Sequence, residues 1–131
     1  MKHDWLQVRM ERSWRTALAL ATILERHENI FRVYTTSMCS VISFEVWNGF
    51  AGANAAVKAF QMITLSPSLG GVVTTVSHSA TSSNKSQSVE ERLRLGVTDG
   101  LLRMSVGLEA VDDIWRDLDC GIKAAAQSVA L

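Results

Sequence analysis

Few side chains in this sequence stand at spacings that chemistry uses. His78 has no histidine, cysteine or carboxylate at a metal-ligand interval, and no Ser, His and Asp fall into the pattern of a nucleophilic hydrolase, so a structural role is expected for it. Cys39 and Cys120 lack CxxC spacing and fall on segments that read as a strand and a helix. Both are expected to be buried, unpaired thiols, because free cysteine behaves as a small hydrophobe. Lys2, Lys58, Lys85 and Lys123 read as solvated surface amines. Three features are left. Arg103 shares a strand face with Ser105, the glycines Gly70 and Gly71 follow Ser68, and a hydroxyl-rich loop, SHSATSSNKSQS, runs from Ser77 to Ser88. By composition alone these are a strand arginine, a turn and a solvated loop.

The elements that must position them are legible from periodicity. Leu6, Met10, Trp14, Ala17, Ala21 and Leu24 make one stripe of a long amphipathic helix. Strands follow at Ile30 to Tyr34 and at Met38 to Trp47, where Ile42, Phe44 and Val46 alternate with polar residues. Asn48 and Gly49 punctuate, and AGANAAVKAF then reads as a second helix ending near Met62. Ile63 to Leu65 and Val72 to Val76 are strand-like on either side of Pro67 and the two glycines. Ser88 with Glu91 has the form of a capping box opening a short helix closed near Gly96. Leu101 to Val106 alternates again. Val111, Ile114, Trp115, Leu118, Ile122, Ala125 and Val129 mark a last helix, whose N-terminal end is favoured by Glu109, Asp112 and Asp113. The order α β β α β β α β α predicts an α+β fold, a mainly antiparallel sheet with helices on one face.

With 131 residues, 47% of them hydrophobic, one domain burying roughly two-thirds of its unfolded surface is the expected organisation. Thirteen Lys and Arg balance thirteen Asp and Glu, so nothing in the charge favours nucleic acid or an anionic membrane. Apolar runs stop well short of the roughly 20 residues that span a bilayer, and the first residues lack the core of a signal peptide. A cytoplasmic location is expected.

Ordered segments carry a resemblance. SLGGVVTTVSH (68–78), the loop ATSSNKS (80–86) and the run EERLRLGVTDGLLRMSVGLE (90–109) resemble the C-terminal domain of the pyridoxal-phosphate enzymes of cysteine and methionine metabolism, the trans-sulfuration family of cystathionine γ-synthase, cystathionine lyases and methionine γ-lyase. The first helix followed by FRVY and VISFEV is similar to the helix leaving the family's large domain and the first strands of its small one. The resemblance implies the small domain of a fold-type I enzyme, with a helix over 4–28 and the small domain over 29–131. It implies that Arg103 binds the α-carboxylate of an amino-acid substrate, a task suited to a planar guanidinium. Ser68 and, with its hydroxyl but not a threonine methyl, Ser83 are implied beside it. The implied cofactor is pyridoxal 5'-phosphate, which this chain alone is not expected to hold, since no lysine stands in the family's cofactor context.

The pattern also has departures. Only Thr35, Thr36 and Ser37 separate Tyr34 from Met38 where the family has a longer loop, Ser79 replaces a proline, and Asn84 stands where a histidine is frequent. The implied partners are a large cofactor-binding domain or a full-length homologue, in a homo-oligomer. Two alternatives stand beside this reading: a non-catalytic truncated homologue acting as an interaction module, and a small-ligand domain of ferredoxin-like type. Trp5, Trp14 and Trp115 are expected in the core or an interface.

Overall fold

The structure, a computed structural model, describes residues 2–35, 39–66, 71–82 and 84–128. Helix α1 is Lys2–Glu25. Its stripe divides in two: Ala17, Ala21 and Leu24 are buried together with Leu20, whereas Trp5, Leu6, Val8 and Met10 are exposed. Periodicity reports which residues share a face, not how far a neighbour extends along it, and only the C-terminal half packs into the core.

Strands β1 (Ile30–Tyr34) and β2 (Val41–Val46) pair antiparallel. Helix α2 (Gly49–Ala59) leads to the two-residue β3 (Thr64–Leu65), then β4 (Thr75–His78) and a 3-10 turn at Ser79–Thr81. Helix α3 (Val89–Arg94), β5 (Leu101–Ser105) and α4 (Val111–Gln127) complete the chain. The five strands form one sheet in the order β1-β2-β5-β4-β3. The sheet is mixed, which corrects the mainly antiparallel expectation. β3 joins β4 in parallel, Thr64 opposite Thr75 and Leu65 opposite Val76.

One face of the sheet supplies Ile42, Phe44, Val46, Leu102, Met104, Val106 and Val76 to a single apolar cluster with buried residues of α1, α2 and α4. On α4 these are Ile114, Leu118, Ile122 and Ala125, at the expected period. Each fully buried aliphatic or aromatic side chain contributes about 1.5–3 kcal/mol over its exposed state. Helix α3 buries no residue.

Polar ties fix the connections. The Asp117 carboxylate on α4 accepts the backbone N–H groups of Gln61, Met62 and Ile63 at 2.8, 3.0 and 2.8 Å, anchoring the approach to β3. Asn48, left-handed at φ 68°, donates its side-chain amide to the carbonyls of Ala125 and Ser128, both at 2.9 Å, and so closes the C-terminal end of α4. Gly52 on α2 has no room for a side chain, since a Cβ there would lie 1.7 Å from the Trp47 carbonyl oxygen. The capping expected at α3 is present, with the Ser88 hydroxyl accepting the Glu91 N–H at 3.1 Å.

The expectation of buried thiols is corrected. Both thiols are free, but Cys39 is half-buried and Cys120 is exposed, because position 120 falls off the buried stripe of α4. Trp5 is exposed on the uncovered half of α1. No helix of the described residues is long and apolar enough to cross a membrane.

Candidate functional site

The sheet face turned away from the apolar cluster is polar. Strand alternation puts Ser43 and Glu45 of β2, Arg103 and Ser105 of β5, and Thr75 and Ser77 of β4 on it. The register then builds one row across four strands: Tyr34 faces Ser43, Ser43 faces Arg103, and Arg103 faces Ser77. Directly opposed residues of an antiparallel pair lie about 5 Å apart, so the arginine stands between two small hydroxyl side chains. Arg103 is half-buried, and its Nε is enclosed with no hydrogen-bond partner among the described residues. A guanidinium N–H taken out of water without an acceptor is costly, and a planar carboxylate is the acceptor that matches its fork.

The family resemblance singled out Arg103, and strand alternation gave its face-mate Ser105, but neither pointed to Ser43 and Ser77, which sequence cannot pair with Arg103 without the register. Ser68 and Ser83, the other residues expected at the site, lie outside the described residues. The approach to Ser68 is described as far as Ser66, whose N–H bonds to the Val76 carbonyl at 2.9 Å. Ser77 also lines a cavity of about 400 Å³ between α2 and β4, with Phe50, Val57, Leu65 and Thr81 in its wall.

The two sequence segments that flank the row are locked to each other. The Leu108 N–H bonds to the Val72 carbonyl at 2.8 Å. The Glu109 carboxylate accepts both the backbone N–H of Thr74 at 2.8 Å and its hydroxyl at 2.7 Å. The Gly107 N–H in turn bonds to that hydroxyl oxygen at 3.0 Å. A Cβ on Gly107 would fall 2.4 Å from the Val72 carbonyl oxygen, which explains a glycine two residues before the glutamate. This clasp sets β4 beside β5 and therefore Ser77 beside Arg103.

His78 ends β4 with both ring nitrogens engaged. Its Nε2–H donates to the Asp99 carbonyl, leaving Nδ1 to accept the Thr81 hydroxyl at 2.8 Å. Among the described residues no group of histidine, cysteine and carboxylate side chains is arranged to hold a metal ion.

Nothing on the polar row resembles a cofactor cradle. Lys58, Lys85 and Lys123 are exposed, Lys123 bonds to Asp119 at 2.9 Å, and none is on the row.

Comparison with known proteins gives a consistent result. The family model described as "Cys/Met metabolism PLP-dependent enzyme" matches residues 4–123. The chain is 36% identical to an O-succinylhomoserine sulfhydrylase of Pseudomonas aeruginosa, over 92% of this chain and 34% of the relative. It is 34% identical to a cystathionine beta-lyase of Coxiella burnetii, over 89% of this chain and 34% of the relative. In three dimensions it is similar to a cystathionine gamma synthase from Xanthomonas oryzae pv. oryzae solved in complex with cystathionine. The TM-score is 0.85 at 29% identity, covering 94% of this chain and 36% of that one. The chain thus spans about a third of the length of the relatives it matches.

Proposed function

This chain belongs to the Cys/Met metabolism PLP-dependent enzyme family, and from that premise we propose that it is the C-terminal part of a trans-sulfuration enzyme and binds the carboxylate of the amino-acid substrate through Arg103. The family is pyridoxal-phosphate dependent, and the cofactor, when bound, supplies the electron sink for cleaving or forming bonds to sulfur. The observation that carries the reading is the enclosed Nε of Arg103, a donor that has no acceptor among the described residues.

In this reading Arg103 binds and orients the substrate. Ser43 and Ser77 leave space for its guanidinium, and the Glu109–Thr74 clasp holds the strands on either side. Ser68 and Ser83, which lie outside the described residues, contribute hydroxyls to the same substrate in this reading. The cofactor and its lysine come from a large domain, on a longer or a separate polypeptide, in a homo-oligomer.

Exchanging residues 4–123 for the matching part of the Pseudomonas sulfhydrylase tests this. The chimera turns over, and Arg103→Ala lowers its kcat/KM roughly 10- to 150-fold, the worth of one charge-assisted hydrogen-bond pair, mostly through KM. A variant that stays folded and keeps its kcat/KM within about twofold would sink the assignment.

A second reading, a non-catalytic homologue that docks on full-length relatives, draws on the exposed Trp5, Leu6, Val8 and Met10 of α1. An inactive but folded chimera, together with capture of the same full-length relative by the unmodified chain, favours it.

A further inference from the structure

Among the described residues nothing accepts from the Arg103 Nε, so the arginine takes its place from the strand that carries it. That five-residue strand ends at Ser105, and the two residues Gly107 and Leu108 just beyond it have all four of their backbone polar groups engaged. The two N–H groups bond toward β4, Gly107 to the Thr74 hydroxyl at 3.0 Å and Leu108 to the Val72 carbonyl at 2.8 Å. Both carbonyls bond to helix α1: the Ser13 hydroxyl donates to Gly107 at 3.3 Å, and the Arg12 Nε–H donates to Leu108 at 3.0 Å. The dipeptide is a joint between α1 and the approach to β4.

Ser13 has a hydroxyl that its own helix does not use. It is 7% exposed within the 24 residues of α1, where a hydroxyl commonly bonds back to the carbonyl four residues earlier. Thr22 of the same helix does so, to Leu18 at 3.0 Å. Ser13 instead reaches a carbonyl 94 positions later in the chain. Alanine would favour the helix more, and the hydroxyl is accounted for by the buried carbonyl it satisfies.

The joint is also stiff, since Gly107 has no room for a Cβ between Val72 and Glu109. Sliding α1 by the rise of one residue, about 1.5 Å, would break both carbonyl bonds. Ser13 stands where α1 passes from its exposed half, Trp5 to Met10, to its buried half from Ala17 onward. Arg103 lies four residues before Gly107, on a strand too short to absorb a displacement of its end. We propose that Ser13, supported by Arg12, is a positioning residue for Arg103: through the Gly107–Leu108 joint, helix α1 sets where the guanidinium meets the substrate carboxylate. The substrate part of this inference rests on the carboxylate reading of Arg103; the coupling of α1 to the arginine does not.

The test has two arms. In the nitrogen-15-labelled chain, the Arg103 Nε–Hε signal, assigned by its loss in Arg103→Lys, reports the guanidinium directly. Ser13→Ala is expected to shift it and to speed its exchange with water severalfold, whereas Asn48→Gly, which loosens the fold elsewhere, leaves it in place. Arg12→Met removes the second carbonyl bond from an exposed position; it is expected to shift the same signal and replaces Ser13→Ala where that variant fails to fold. In the chimera with the Pseudomonas sulfhydrylase, Ser13→Ala is expected to raise KM about three- to tenfold, the worth of one neutral hydrogen bond, with kcat within about twofold. An Arg103 signal that moves no more in the folded variant than in Asn48→Gly overturns the proposal. So does an unchanged KM in a chimera whose kcat/KM falls on Arg103→Ala. A moved signal alongside a chimera indifferent to Arg103→Ala refutes the carboxylate reading and upholds the coupling of α1 to Arg103.

Discussion

Asp117 offers the sharpest perturbation of the fold. Its carboxylate is the acceptor for three consecutive backbone N–H groups, those of Gln61, Met62 and Ile63. Asp117→Ala leaves all three without it. Hydrogen bonds to a charged group are worth about 1.5–3 kcal/mol each, but a simple sum overshoots here. Two of the three bonds are only part-buried, so water partly replaces the lost acceptor, and the three share one carboxylate and are not additive. A loss of about 3–4 kcal/mol is the expected outcome, out of a total stability of about 5–15 kcal/mol for a domain. Asp117→Asn keeps one carbonyl oxygen and turns an N–H₂ toward the remaining donors. It should cost about 2–3 kcal/mol, a sum of the lost charge and of at least one lost acceptor. Urea unfolding followed by circular dichroism measures both, with the m-value unchanged, and thermal melts should shift by about 4 °C per kcal/mol at this length. If alanine lies within about 1 kcal/mol of the parent, or asparagine equals aspartate, the nest of three N–H groups is not what anchors the approach to β3.

Asn48 combines a left-handed backbone with the closure of α4. Asn48→Gly keeps the conformation and loses the bonds, at about 1–2 kcal/mol; Asn48→Ala adds the left-handed strain, for about 2–4 kcal/mol. Equal melting temperatures for the two variants would contradict that division. At Asp119, burial pushes the carboxyl up, but hydrogen bonds from Lys123 and His27 outweigh it and leave the pKa below the usual carboxylate range. A depressed carboxyl contributes stability that is present above its unfolded pKa, about 4, and lost as pH falls through the folded value. Asp119→Asn should therefore flatten the stability loss between about pH 5 and pH 3, and an unaltered acid limb in that variant would refute the coupling.

How much of this was readable from residues varies with the physics of each element. α4 and β2 announced themselves because one face of each is buried along its whole described length, so the apolar period survives intact. The α1 stripe was read correctly as a helix face but not as a half-covered one, since sequence does not encode where the sheet ends. Val72 and Val73 have strand-forming side chains yet are exposed, and β4 begins at Thr75. Val72 spends its carbonyl on Leu108, and the N–H of Thr74 goes to the Glu109 side chain, while its carbonyl accepts the Thr64 N–H at 3.3 Å. β-Propensity cannot anticipate a side-chain clasp of that kind. At the site, Arg103 was legible from its motif. Ser43 and Ser77 could not be set beside Arg103 from the residues, because only strand pairing brings positions 60 and 26 away into one row with it. The parallel β3 was illegible for the same reason, two residues being too few to carry a directional signal.

The strand order β1-β2-β5-β4-β3 has a temporal side. The strand at the centre of the sheet is the last to leave the ribosome, so β2 and β4 exist with bare edges until residues 101–105 arrive between them. Closing the sheet requires a contact between segments some sixty positions apart in the chain, which slows folding and prolongs the exposure of those edges to other chains. Because Arg103 rides on the closing strand, the domain has no polar row at all until the sheet is whole. Assembly of that row and closure of the sheet are thus a single event, and a nascent chain halted before β5 would present the unpaired edges of β2 and β4 without the row.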